Sequence, residues 1–419
     1  MACEPDHDDA SAGWLTAVSN ALTAKSGQPS PDVALAGADA SHPLLPHPSP
    51  AIGRTNPASA PLAINTRISG SGSAKEVRQV AFNSAGCGLA YEAGDALGVW
   101  PVNDPALVAD MITAAGVPSD AAVYVKGSGE ITLAEALTRH YEIARPSSDL
   151  LTLLAEQPRN RDLSHLMAQK QPLQSWLWGR QTVDVLRAFP ICTTPEALLA
   201  SLKRLQPRLY SISSSPKTTP DQIHLTTSVV RYHCNGHLRG GVCSTYLADR
   251  VQNGTGVFVQ RSPDFRPPVD PTAKAIMVGP GTGVAPFRAF LQDRQARGAT
   301  GQNWPFFGEQ TAAHDFYYRD ELLALHSSGA LHHLDTAFSR DQAEKIYVQH
   351  RMQEAGAELW RWLEDGAHFY VCGDATRMAK DVDTSLLALV AQHGNLGEDA
   401  AQDYVAGMRR TKRYVRDVY

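Results

Sequence analysis

Three glycines at alternate positions, Gly279, Gly281 and Gly283, separate an apolar strand pattern at 275–278 from an amphipathic helix pattern in KAIMVGPGTGVAPFRAFLQDR. Glycine accepts positive φ and lets the backbone approach a ligand closely. A strand that turns into a helix N-terminus aims free N–H groups and the positive dipole end at an anion. Pro286 suits the first turn, where no N–H is needed. The chemistry this permits is binding of a phosphate, as in a dinucleotide; because the spacing is not G-x-G-x-x-G, a plain glycine turn fits the pattern too. A second candidate cradle lies upstream, where Gly240-Gly241 lead into Val242, Cys243, Ser244 and Thr245 at a helix start.

About thirty residues before that cradle stands Arg208-Leu209-Tyr210-Ser211. On a strand Arg208 and Tyr210 share one face, Leu209 and Ser211 the other. Arginine can pair with a pyrophosphate, tyrosine offers a flat face to an aromatic ring, and the Ser211 hydroxyl can bond a flavin ring nitrogen. A structural strand with a surface arginine satisfies the same pattern. Two anion sites in two regions suit two dinucleotides. Downstream, Ser339-Arg340, Lys345, Tyr347 and Gln349 read by themselves as a helix start with solvated charges. Cys372 follows the apolar run HFYV and precedes Gly373-Asp374, at the carboxyl end of a strand, where parallel sheets bind ligands. A buried structural cysteine is the alternative.

The elements that must position these residues follow from periodicity. Residues 1–60 are rich in Ala, Pro, Ser and Gly and are expected to form a disordered tail, with Trp14, Leu15, Val18 and Leu22 at helical spacing inside it. Short alternating runs from about Leu62 read as strands; 103–205 carries apolar residues at helical spacing; strands return from 207 to 260. After Pro271 strands and helices alternate. The expected fold is an antiparallel β-barrel domain over 61–270, interrupted by a helical insertion at 103–205. A doubly wound α/β domain over 271–419 follows.

Composition limits the function classes. A formal charge of −5 leaves no electrostatic footprint for nucleic acid, and no apolar run approaches the length of a membrane span. The acidic start MACEPDHDD is unlike a secretory signal, and the six cysteines show no C-x-x-C spacing, so neither a metal site nor a disulfide framework is expected. The expected compartment is the cytoplasm.

The order R-x-Y-S, G-G-V-C-S-T, G-P-G-T-G-V-A-P-F-R, S-R-x4-K-x-Y-x-Q, Y-V-C-G-D and a terminal aromatic resembles the diflavin reductase group over roughly 62–419. Within the group the likeness is to the flavoprotein subunits of NADPH–sulfite reductases. The resemblance implies that Arg208, Tyr210, Ser211 and the turn Gly241, Val242, Cys243, Ser244 bind FAD, with Tyr210 against the isoalloxazine and Thr226 and Ser228 along its edge. Read as residues alone, Thr226 and Ser228 are equally ordinary strand positions. It implies further that Gly281 and Thr282 hold the NADPH pyrophosphate and that Ser339, Arg340, Lys345, Tyr347 and Gln349 take the 2′-phosphate. That set of cations and hydroxyls matches a dianion and would go unpaired with NADH. Asp374 belongs to the same nucleotide set. The resemblance also implies that Ser211, Cys372 and Asp417 surround the hydride path and that Tyr419 stacks on the flavin face as a gate.

The group normally carries an FMN-binding, flavodoxin-like domain ahead of the barrel, and residues 1–60 are too few for one. The expectation is therefore an FAD-dependent NADPH reductase that passes electrons to a separate flavodoxin-like or FMN protein, or to a sirohaem sulfite reductase subunit. An NADPH–flavodoxin or ferredoxin reductase serving another haemoprotein, and a non-catalytic assembly subunit, are the alternatives.

Overall fold

The computed structural model describes residues 52–419. It opens with β1 (Ala58–Ala60), β2 (Leu62–Arg67), β3 (Glu76–Asn83) and β4 (Ala96–Val99). The stretch expected to stay irregular through residue 60 thus already contains a strand. Pro57 and Pro61 bracket β1 and suit it to a sheet edge, and it stands at an edge of its four-stranded sheet. The helical spacing at Trp14, Leu15, Val18 and Leu22 lies outside the described residues.

After β4 the chain leaves the barrel. The helix Pro105–Ala115 is capped by the Asp104 side chain and stopped by Gly116 at φ 67. A hairpin of β5 (Ala122–Val125) and β6 (Gly129–Thr132) interrupts the helical stretch that periodicity predicts for 103–205. Gly127 and Gly129, both at positive φ, make its turn, and strands this short leave too little alternation to read. Helices between Leu133 and Ala200 complete the insertion around buried Leu137, Ile143, Leu150, Leu154 and Val185. A buried ion pair ties insertion to barrel: Arg239 Nε donates to Asp184 Oδ2 at 3.1 Å.

β7 (Arg208–Ser211), β8 (Gln222–Val229), β9 (Arg231–Cys234), β10 (His237–Gly240) and β11 (Thr255–Gln260) return to the barrel. Two antiparallel sheets, β1-β11-β4-β7 and β2-β3-β8, are joined by a bridge between Ile212 and Leu225. Phe82, Leu97, Val99, Ile212, Leu225, Leu247 and Val257 fill the space they enclose.

The last domain holds β12 (Ala275–Val278), β13 (Asn303–Glu309), β14 (Asp335–Phe338), β15 (His368–Gly373) and β16 (Tyr414–Val418). They form one parallel sheet in the order β14-β13-β12-β15-β16. Ile276 and Val278 pack on one face with Trp304, Phe369 and Leu386, while Ala275 and Met277 pack on the other with Phe287, Phe290 and Tyr370. Both faces are covered, as a parallel sheet requires. The chain runs from β12 outward to β14, then crosses back to β15. The switch point therefore lies between the carboxyl ends of β12 and β15, where such sheets take ligands.

Candidate functional site

The glycine turn follows β12 and Cys372 lies near the end of β15, so both flank that switch point. Gly281 sits at φ +61, open to glycine and strained for other residues. Gly283 serves space instead: a Cβ there would come within 2.2 Å of the Cys372 carbonyl oxygen. Gly283→Ala must push helix Val284–Ala296 off β15. It is expected to cost about 2 kcal/mol of stability by overpacking, checked by urea unfolding; an unchanged midpoint would contradict the contact.

Two clefts meet at this turn. The barrel cleft, about 350 Å³, is lined by Arg208, Leu209, Tyr210, Ser211, Thr226, Ser228, Val230, the 241–244 turn, Thr282, Ala285 and Tyr419. Each residue of β7 reaches it, so strict alternation of faces does not hold where the strand borders the cleft. Gly241 lies under the cradle: a Cβ there would meet Ser244 Oγ at 2.7 Å and Val230 Cβ at 3.1 Å. Arg208 is steadied by Glu142 Oε2 at 2.8 Å and the Gln206 carbonyl at 2.8 Å, leaving guanidinium edge for the cleft. Burial, with Cys243 alongside, raises the Tyr210 phenol well above its ordinary value, so the ring is neutral. Thr226 is buried and its hydroxyl meets Tyr318 Oη at 2.7 Å, whereas Ser228 is exposed.

At the inner end of this cleft a chain of polar groups crosses from barrel to sheet. Ser211 Oγ donates to Asp417 Oδ2 at 2.7 Å, and Cys372 Sγ lies 3.9 Å from the same oxygen. Cys372 and Asp417 are register partners on β15 and β16. Cys372 is fully buried, and burial plus the neighbouring Asp417 carboxylate hold it as a neutral thiol. Neither residue lines the cleft itself; both lie behind Ser211. Tyr419 is pinned by its main chain, N–H to the Gly373 carbonyl and C=O from the Ala375 N–H, both at 3.1 Å. The residue as a whole is exposed, and its phenol meets Thr282 Oγ1 at 3.1 Å.

The sheet-end cleft, about 590 Å³, is lined by Gly281, Ser339, Arg340, Lys345, Tyr347, Gln349 and Asp374 among others. Arg340 and Lys345 are exposed and form no ion pair among the described residues. Asp374 is already engaged: it accepts from Thr376 Oγ1 and N–H and from the amides of Arg377 and Met378, which lowers its carboxyl to about 2. It shapes the turn ahead of Met378–His393 rather than offering a free carboxylate. Thr282, expected with Gly281 on the nucleotide side, instead lines the barrel cleft. Consecutive residues of one turn thus face both cavities. Lys75, Glu309, Arg377 and Asp381 also line the sheet-end cleft and were not anticipated. Of these only Glu309, ending β13, carries a sequence signal, its place at a parallel strand's carboxyl end.

Both clefts fit the groups expected of them: a glycine cradle with an arginine and a neutral aromatic in one, unpaired cations beside a glycine turn in the other. Among the described residues no helix is long and apolar enough to cross a membrane.

Residues 51–246 match the family described as FAD binding domain, and 277–384 match the oxidoreductase NAD-binding domain. Sulfite reductase (NADPH) flavoprotein alpha-component from Vibrio cholerae is 44% identical over 368 residues, 87% of this chain and 60% of that protein. The same component from Klebsiella pneumoniae is 41% identical over 416 residues, 99% of this chain and 69% of its own length. That from Zymomonas mobilis is 41% identical over 417 residues, 99% and 68% respectively. The chain spans about 60% of the length of the Vibrio relative.

Proposed function

The chain belongs to the family of sulfite reductase (NADPH) flavoprotein alpha-components, and we propose from that footing that it takes hydride from NADPH and delivers the electrons to a redox partner. The observation that carries this reading is the shared turn: Gly281 borders the cleft with the unpaired cations, and Thr282 borders the cleft with the barrel cradle. A dinucleotide seated along one cleft can therefore present its reactive end to the other without leaving the protein.

Arg208, with the glycine cradle at 241–244, would hold the FAD pyrophosphate, and Tyr210 would pack on the ring. Bound FAD supplies a two-electron acceptor for the nicotinamide hydride and releases electrons singly. Ser211 orients its hydroxyl through Asp417, whose negative charge favours the cationic nicotinamide that hydride loss leaves. Cys372, held neutral, contributes a thiol beside that carboxylate and no charge of its own. The phenol of Tyr419 closes the approach through Thr282.

Arg340 and Lys345 set the nucleotide preference. Arg340→Ala is expected to raise KM for NADPH by roughly a hundredfold, the value of a charge-assisted pair to a dianion, and to leave NADH kinetics within about twofold. Parallel losses with both nucleotides would count against 2′-phosphate recognition.

The relatives' name supports sulfite reduction as the destination of the electrons, and the resemblance to the diflavin reductase group supports a sirohaem protein as final acceptor with an FMN-bearing, flavodoxin-like module as the intermediate carrier. The test is a comparison of purified acceptors under NADPH, with ferricyanide as the general oxidant. Turnover with ferricyanide establishes the reductase; transfer to a sirohaem protein only when an FMN module is added supports the proposed route. A colourless protein that takes up no FAD would refute the reading.

A further inference from the structure

Tyr318 stands immediately before helix Arg319–Ser327 with φ 57 and ψ 26, the left-handed region that a bulky side chain rarely enters. Such a conformation persists only where surrounding contacts impose it, and here those contacts lead to the barrel cleft. The Tyr318 hydroxyl meets Thr226 Oγ1 on β8 at 2.7 Å. Among the described residues this is the only hydrogen bond of the Thr226 hydroxyl, and Thr226 is buried in the wall of the barrel cleft.

The Tyr318 ring is held from its other side. The Arg288 guanidinium lies 4.7 Å from the ring centre, close enough for a cation–π contact. Arg288 is itself fixed twice, its Nε donating to Glu321 Oε2 at 2.7 Å and its Nη1 to the Ser213 carbonyl at 2.8 Å. Ser213 follows β7, so the nucleotide domain grips both strands that carry cleft residues, β7 through Arg288 and β8 through Tyr318. The phenol is therefore placed rather than wandering.

A phenol gives up its proton more readily than an aliphatic alcohol, so of the two hydroxyls Tyr318 donates and Thr226 accepts. Burial raises the Tyr318 phenol above its ordinary value, and the proton to donate is present. A threonine hydroxyl has one proton and one torsion to place it. With its oxygen engaged by Tyr318, that proton turns to the cleft.

We propose that Tyr318 is a positioning residue for the flavin: it holds Thr226 as a hydrogen-bond donor to the ring and thereby raises the potential at which the flavin is reduced. The inference rests on the reading of the barrel cleft as the FAD site. A reduced ring is richer in electrons than an oxidised one, so a donor fixed beside it favours reduction. The nucleotide domain thus acts on the flavin through β8, apart from what its own cleft binds.

The test is a spectroelectrochemical titration of the FAD-loaded protein, read from the flavin absorbance, in Tyr318→Phe, Thr226→Val and the double variant. Phenylalanine keeps the ring on Arg288 and removes only the hydroxyl. Tyr318→Phe is expected to shift the two-electron equilibrium about fivefold toward oxidised flavin, the value of one neutral hydrogen bond, which lowers the potential by about 20 mV. Thr226→Val has no proton to give and should lower the potential at least as far. Tyr318→Phe in the Thr226→Val background should then add nothing, because the two act as one unit. A merely structural role would move the unfolding midpoint and leave the potential in place. An unchanged or raised potential in Tyr318→Phe, or the same shift in the Thr226→Val background, would overturn the proposal while leaving the reductase reading intact. A wild-type protein that takes up no FAD sinks the reductase reading itself, and the proposal with it, before any variant is compared.

Discussion

Asp417→Asn is expected to slow NADPH-driven flavin reduction by about two orders of magnitude while FAD content stays at the wild-type level. The Asp417 carboxylate is the hub of a polar chain that crosses from barrel to sheet: it accepts from Ser211 at 2.7 Å and lies 3.9 Å from the Cys372 sulfur. Hydride departure leaves a positive ring, and a fixed negative group nearby is worth most when solvent is excluded, as it is around a fully buried Cys372. Asparagine keeps the shape and can still accept from Ser211. The loss would therefore report charge, not packing. Stopped-flow bleaching of the flavin absorbance reads the step directly. A rate within about threefold of wild type would remove Asp417 from the electrostatic role. Ser211→Ala should be the milder change, since it deletes a positioned hydroxyl and leaves the charge.

Much of this arrangement was legible because the chemistry sits at ends of strands that periodicity reveals. The apolar run before Gly279 and the run before Cys372 mark two parallel strands, and a ligand site at their carboxyl ends follows from how such sheets are wound. Arg340 and Lys345 were legible only through their order relative to other motifs, since by themselves they resemble a solvated helix start. What could not be read is what crosses between domains. Lys75 forms an ion pair with Glu309 from more than two hundred residues away, and no local pattern signals it. The resemblance places Thr282 with Gly281 on the nucleotide, whereas the tight turn that glycine permits brings the two residues to different cavities. The β5–β6 hairpin escaped for a related reason: strands of four residues give helical and strand periods too little length to differ.

Tyr419→Ala is expected to raise kcat/KM for NADH by about fivefold and to lower kcat with NADPH. The alanine variant is preferable to truncation, because Tyr419 N–H and C=O both bond the β15 turn and their loss would disturb Gly373 and Ala375. The ring itself is held by one hydroxyl contact to Thr282, so it can turn on its side-chain torsions while the backbone stays pinned. Any nicotinamide that reaches the barrel cleft must displace it, at a cost of about 1 kcal/mol for an aromatic stack. That cost is the same for NADH and NADPH, and a uniform cost cancels in the ratio of their kcat/KM values. Selectivity in kcat changes for another reason. On the proposed reading the cations at 340 and 345 anchor NADPH, so without the ring to re-enter the site its oxidised form is expected to leave slowly and release to limit turnover. NADH lacks that anchor and gains only the easier entry. The measurement is a steady-state comparison of both nucleotides with ferricyanide, split into kcat and KM. Kinetics unchanged with both would show that the ring does not stand in the hydride path.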